Sequence, residues 1–249
     1  MTAASFPVSA APRVVALEGV SWQPWRNGRG RTRELLAWPQ ANDWQVRVSV
    51  AEIAAAAPFS AFDGVERWFA VVDGAGVDLR VDGVARRMTA GAVPLRFDGG
   101  AAVDALPVDG TSRDLNLMVR GSGAMALATA DAWWSPVPAP DPARPPALAR
   151  PPAPARPPAP AGALEPARRL QAQAGFYAAQ AVRWVAQLEA RRTVVSAEGE
   201  LPGDALLWFE RAPRRLRVQP LSAAASPARS PGWWLAAFPQ DAAPGHDRA

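Results

Sequence analysis

Residues 67–99 read RWFAVVDGAGVDLRVDGVARRMTAGAVPLRFDG. Short apolar-rich runs alternate there with Asp73-Gly74, Asp82-Gly83, Ala90-Gly91 and Asp98-Gly99. Gly enters the left-handed region without a Cβ clash and Asp tolerates it, so each such pair marks a tight turn. The turn signals recur every 8–11 residues as far as Asp109-Gly110, the spacing of an all-β barrel or sandwich. Between Val14 and Arg120 this predicts strands at Val14–Val20, Thr32–Trp38, Trp44–Glu52, Arg67–Val72, Val77–Val81, Ala85–Thr89, Val93–Phe97 and Asp114–Arg120. Helical periodicity is absent there apart from a turn near Ala51–Ala57.

The chain changes character after this first unit, residues 14–130. Residues 135–166 are built from Pro, Ala and Arg, with 13 Pro. Pro can neither donate to a ladder nor continue a helix, so an extended, disordered linker is predicted. In residues 167–192, Leu170, Ala174, Tyr177, Ala181, Trp184, Val185 and Leu188 recur at spacings of mostly three and four. That pattern predicts an amphipathic helix entered at Pro166, with Gly175 as its weak point. Across residues 193–240, strands are expected at Thr193–Ala197, Ala205–Glu210, Leu216–Pro220 and Trp233–Phe238, completing a second, smaller barrel.

Composition removes several classes of chemistry. There is no Cys, which excludes disulfides, thiolate zinc sites and thiol nucleophiles. The single His is His246, so neither a Ser-His-Asp triad nor a His-rich metal cluster fits the body of the chain. All 27 basic residues are Arg, which accounts for the sequence pI of 10.9 although the net charge is only +4. Residues 1–143 carry 13 Arg against 15 acids, and residues 144–192 carry 8 against 2. The excess positive charge therefore sits in the linker and expected helix, which argues against a nucleic-acid surface on the β core. No run reaches about 18 apolar residues, so no membrane span is expected. Met1–Val15 lacks the charged start and long apolar run of a signal peptide, and cytoplasmic residence is the expectation.

The chemically densest stretch is WQPWRNGRGRTREL, residues 22–35, with two Trp and four Arg around an Asn27-Gly28 turn. In the strand that follows, alternation puts Trp44, Val46, Val48 and Val50 on one face and Gln45, Arg47, Ser49 and Ala51 on the other. If the polar face looks into a barrel, Arg47 needs an anion, and a carboxylate satisfies it in bidentate fashion. The alternatives are an internal Glu as its partner, or a polar face turned to solvent. Ser60 follows Pro58-Phe59 in a loop at a barrel mouth, where it either donates to a ligand oxygen or caps a turn. Arg67 opens the next strand. Asp114, Asn116 and Met118 share a face, and a strand Asn has to find partners, either a ligand or neighbouring backbone.

The ordered segments PWRNGRGRTREL (24–35), WQVRVSVAEI (44–53), PFSAFDGVER (58–67), DLNLM (114–118) and GDALL (203–207) resemble the HutD/Ves family of bicupin proteins. The resemblance covers residues 14–120 closely and 193–238 loosely. It implies an all-β bicupin, two cupin-like barrels in one chain, here with a Pro-rich linker and one inserted helix. It also implies a role in bacterial histidine utilisation or stress-linked expression, with small-ligand sensing or regulation as the usual suggestion. The family's Lys-Asn-Gly-Gly-Gly is replaced here by Arg26-Asn27-Gly28-Arg29-Gly30.

The expected function is a non-enzymatic, regulatory pocket for a small carboxylate of histidine utilisation, with no metal and no cofactor. Arg47 is its expected anion anchor, Ser49, Ser60 and Asn116 its hydrogen-bonding neighbours, and Arg26, Asn27 and Thr32 its contribution from the opening loop, with Arg67 beside them. Two other classes stand beside this one. The first is a metal-independent isomerase or hydrolase using carboxylates such as Glu34 or Glu66, and the second is a protein-interaction module working through the linker and helix.

Overall fold

The computed structural model describes residues 11–136, 172–190, 193–222 and 230–239. These form eighteen strands and a single 3-10 turn at Leu17–Gly19. In the first half they are β1 (Arg13–Ala16), β2 (Gln23–Pro24), β3 (Gly30–Gln40), β4 (Asp43–Ile53), β5 (Ala57–Pro58), β6 (Glu66–Asp73), β7 (Val77–Val81), β8 (Val84–Met88), β9 (Leu95–Asp98), β10 (Val103–Pro107), β11 (Ser112–Val119) and β12 (Gly121–Leu127). In the second half they are β13 (Gln173–Ala178), β14 (Val182–Ala190), β15 (Thr193–Leu201), β16 (Ala205–Phe209), β17 (Arg215–Pro220) and β18 (Gly232–Pro239).

The strands make four sheets, of four (β5-β10-β7-β8), six (β2-β3-β4-β11-β6-β9), five (β1-β16-β13-β18-β12) and three (β15-β14-β17) strands. Three apolar clusters show how these stack. Phe69, Val71 and Ile53 of the six-stranded sheet pack on Val77, Leu79, Val103 and Ala105 of the four-stranded sheet. Val46, Val48, Val50, Leu115 and Leu117 lie on the other face of the same six strands and pack on Tyr177, Leu206, Trp208 and Leu235 of the five-stranded sheet. Phe176, Leu207 and Trp234 leave the far side of that sheet and meet Trp184, Leu188 and Val218 of the three-stranded one. The layer order is therefore four, six, five, three. Strand alternation produces it, because a sheet covered on both sides turns successive residues to different cores.

The two halves exchange strands. β1 pairs with β16, and β12 pairs with β18. Both ends of the first unit thereby belong to the five-stranded sheet, and the back face of the six-stranded sheet is sealed.

The amphipathic helix expected over 167–192 is not formed. Residues 137–171 and 191–192 lie outside the described residues, so the linker expected at 135–166 does too except for its first two positions; 173–178 and 182–190 are strands. In β14, Val182, Trp184, Ala186 and Leu188 are buried, while Arg183, Val185 and Gln187 between them are not. That is a period of two, which the spacings of three and four had masked. β13 is buried at every position, so it carries no alternation to read. Among the described residues, no helix is long and apolar enough to cross a membrane.

Candidate functional site

The six-stranded sheet keeps one polar end on the face it turns to the four-stranded sheet. Ladder register aligns three rows across β4, β11 and β6. Arg47, Met118 and Arg67 form the first row, Ser49, Asn116 and Phe69 the second, and Ala51, Asp114 and Val71 the third. The lower part of this face closes into apolar core through Phe69, Val71 and Ile53. The upper part opens into a cavity of about 410 Å³. Arg26, Asn27, Thr32, Arg47, Ser49, Ser60, Arg67 and Asn116 all line it, together with Trp25, Phe59, Phe62, Asp114 and Met118.

The opening loop forms one wall. Its turn is fixed by Gly28 at φ 67°, by Asn27 Oδ1 accepting the Arg29 N–H at 3.0 Å, and by the Gly28 N–H donating to the Trp25 carbonyl at 3.0 Å. Trp25 donates from Nε1 to Thr32 Oγ1 at 2.8 Å and meets Phe59 edge-on at 6.2 Å. Three of the four loop Arg are committed to structure. Arg29 donates to the Ala56 carbonyl, Arg31 pairs with Glu52, and Arg33 donates to the Leu17 carbonyl, with Arg31 and Arg33 also stacked on Trp22. Arg26 is exposed at the cavity mouth and has no protein partner among the described residues.

Arg47 lines the cavity but is not its free cation. Its Nε donates to Glu34 Oε2 at 2.7 Å, with both side chains about one-fifth exposed. The expected anion anchor thus already has an internal carboxylate. Glu34 sits opposite Ser49 in the ladder, just before a bulge between Glu34 and Leu36, which places it diagonally beside Arg47 on the same face.

Arg67 is in the opposite situation. It is 4% exposed, and no carboxylate among the described residues lies within ion-pairing distance. Its Nη2 donates to Asn116 Oδ1 at 3.1 Å and its Nη1 to the Ser60 carbonyl at 3.3 Å, while Nε is buried without a partner. The guanidinium lies 5.0 Å from the Phe59 ring, 5.1 Å from Phe97 and 6.0 Å from Phe62. Burial lowers its pKa to about 10, opposed by the charge of Asp114 and helped to a smaller degree by that of Arg47. Glu66, its neighbour in sequence, faces the other way and pairs with Arg96.

Asn116 links Arg67 to Asp114, because its Nδ2 donates to Asp114 Oδ1. Asp114 is fully buried and its Oδ2 has no partner. Burial pushes this carboxyl up to about 7, opposed by the Asn116 hydrogen bond and the Arg67 charge. Ser60 lines the cavity, and its carbonyl accepts from Arg67.

Sequence reasoning left Asp114 out of the site, although it shares its face with Asn116. It also left out the aromatic wall of Trp25, Phe59 and Phe62. Among the described residues, Asp114 is the one carboxylate lining the cavity. Among the described residues, no group of three His, Cys, Asp or Glu side chains comes together as a metal site would require.

Residues 18–135 match the HutD family model. Protein Ves from Cronobacter sakazakii is 37% identical over 97 residues, which is 39% of this chain and 54% of that protein. Protein Ves from Citrobacter koseri is 39% identical over 98 residues, covering 39% and 51%. The chain spans about half the length of these curated relatives. HutD from Pseudomonas fluorescens SBW25, in a formate condition, superposes with a TM-score of 0.53 at 20% identity, over 93% of this chain and all of that one. A mutant of the Bacillus subtilis oxalate decarboxylase OxdC gives a TM-score of 0.55 at 7% identity, over 94% and 78%, a likeness of fold alone. The architecture is all-β and cupin-like, and it is through residues 18–135 that the chain is similar to the HutD family.

Proposed function

We propose that the protein is a non-enzymatic, regulatory bicupin whose cavity in the first barrel binds a small carboxylate, with Arg67 as the anion anchor. The observation that carries this reading is the isolation of Arg67. It is a buried guanidinium on a cavity wall, with only neutral protein acceptors. A guanidinium offers five donors, and two are used here. A carboxylate takes two N–H groups of such a fork at once and sets a negative charge directly on the guanidinium. The aromatic rings exclude water and strengthen that attraction. Asn27, Thr32 and Ser49 offer hydrogen bonds to the rest of the ligand, and Arg26 guards the mouth. The family resemblance makes a carboxylate of histidine utilisation the first class to test.

The test is a thermal-shift and calorimetric screen of formate, urocanate and N-formylglutamate against the unaltered chain and Arg67→Gln. Stabilisation of the unaltered chain that disappears in Arg67→Gln supports the reading. No stabilisation by any of them removes it.

A metal-independent enzyme using the same cavity is the second reading, favoured by a buried carboxyl, Asp114, on the wall of an anion pocket. Turnover of one of these acids that is lost in Asp114→Asn would favour it over simple binding.

A further inference from the structure

The Arg67–Asn116–Asp114 chain is incompletely satisfied at both ends. Arg67 Nε lacks an acceptor and Asp114 Oδ2 lacks a donor. The two charged groups do not touch, and the Asn116 amide stands between them with its oxygen toward Arg67 and its nitrogen toward Asp114. Among the described residues, the other charged groups lining the cavity are Arg47, which is neutralised by Glu34, and Arg26 at the mouth. No titratable side chain of β5, β7, β8 or β10 lines it. Asp114 is therefore the carboxyl whose charge answers Arg67 while the cavity is empty.

We infer that the pocket takes up its carboxylate together with one proton, which Asp114 holds while the ligand occupies Arg67. This rests on the carboxylate-binding reading and adds its regulation. A ligand carboxylate seated on Arg67 replaces Asp114 as the counter-charge. Two anions then share one buried cation, and the protein carboxylate is the one that neutralises, because burial already disfavours its charge. The step is a protonation only: a solvent proton adds to the Asp114 carboxylate to give the acid, and no covalent bond to the ligand forms. With Asp114 protonated beforehand, the cavity is already short of an anion and binding is tight. With Asp114 ionised, the ligand has to draw a proton in, and its affinity falls by up to about tenfold per pH unit. The pocket thus reports carboxylate concentration and acidity jointly.

The experiment is isothermal titration of the full chain with sodium formate and with N-formylglutamate, from about pH 6 to pH 9, in paired buffers of different ionisation heats. The expected result is proton uptake near zero at the acid end, rising toward one per ligand near pH 8. Asp114→Asn should bind with no uptake and no pH dependence, and more tightly than the unaltered chain at pH 8. Binding with no buffer-dependent heat in the unaltered chain overturns the proton coupling and leaves the carboxylate reading standing. Binding of neither acid at any pH overturns both. Uptake that survives in Asp114→Asn assigns the proton elsewhere and also overturns the inference. The paired-buffer comparison uses the unaltered chain, so it decides the question whether or not the variant folds.

Discussion

Arg67 on β6 donates to Asn116 on β11 at 3.1 Å, across 49 positions of sequence, and the pair is buried at the wall of the cavity. This contact sets Arg67 apart from Arg47, the other strand arginine on the cavity wall. Arg47 has a carboxylate of its own, and Arg67 has an amide oxygen and a carbonyl. A neutral acceptor positions a guanidinium without discharging it, so Arg67 is the group that a ligand anion completes.

Arg67→Gln should weaken binding of any carboxylate by at least about 30-fold, since truncating one partner of a buried charged contact costs about 2 kcal/mol or more. Titration calorimetry against the unaltered chain measures it. Equal affinities would remove Arg67 from the site.

Arg47→Gln should cost less than about tenfold in the same titration. Its charge is already spent on Glu34 at 2.7 Å. The larger consequence is a half-buried Glu34 without its partner, visible as a small drop in melting temperature, because partly exposed ion pairs contribute about 1 kcal/mol or less.

Asp114 should make the chain less stable as pH rises. Its carboxyl is pushed up to about 7 in the folded protein, and an unfolded Asp titrates near 3.9. Between those values the folded state binds one proton more than the unfolded state. Stability is therefore fully present at the acid end and is lost toward pH 7, by about 1.4 kcal/mol per pH unit at the steepest. Denaturant melts between about pH 5 and pH 8 should show this slope in the unaltered chain and a flatter one in Asp114→Asn. An identical slope in both would assign the effect to another group.

Gly175→Ala separates a helix from a strand by its sign. In a helix, Ala in place of Gly stabilises by about 1 kcal/mol. In β13, a Cβ at position 175 would lie 2.5 Å from Trp208 Cε3 and against the Leu207 carbonyl. Overpacking of that kind costs about 1–3 kcal/mol. A lowered melting temperature is the expected outcome.

That position also shows where the sequence was legible. The Asp-Gly turns and the clean alternation at Trp44–Ala51 gave the first unit its all-β reading, because each strand there has one face of each kind. β13 is buried throughout, so its apolar run fits a helix or a strand equally well. Only its ladders to β16 and β18 decide. All eight residues chosen from sequence line one cavity, because local features chose them: the Asn27-Gly28 turn, strand parity and a strand Asn. Which arginine is left without a carboxylate was not legible. It depends on the β3–β4 register around the Glu34 bulge, a long-range pairing that no local pattern encodes. Asp114 was visible by its parity with Asn116, and its burial emerged only when β11 was found at the centre of the six-stranded sheet.

The most direct measurement is a crystal structure of the chain with the tightest-binding carboxylate from the screen. The carboxylate oxygens should lie on the Arg67 guanidinium at about 2.7–2.9 Å, with Arg47 still paired to Glu34. A carboxylate held by Arg47 or Arg26 alone, with Arg67 bonded only to Asn116 and Ser60, would contradict the assignment of Arg67 as the anchor.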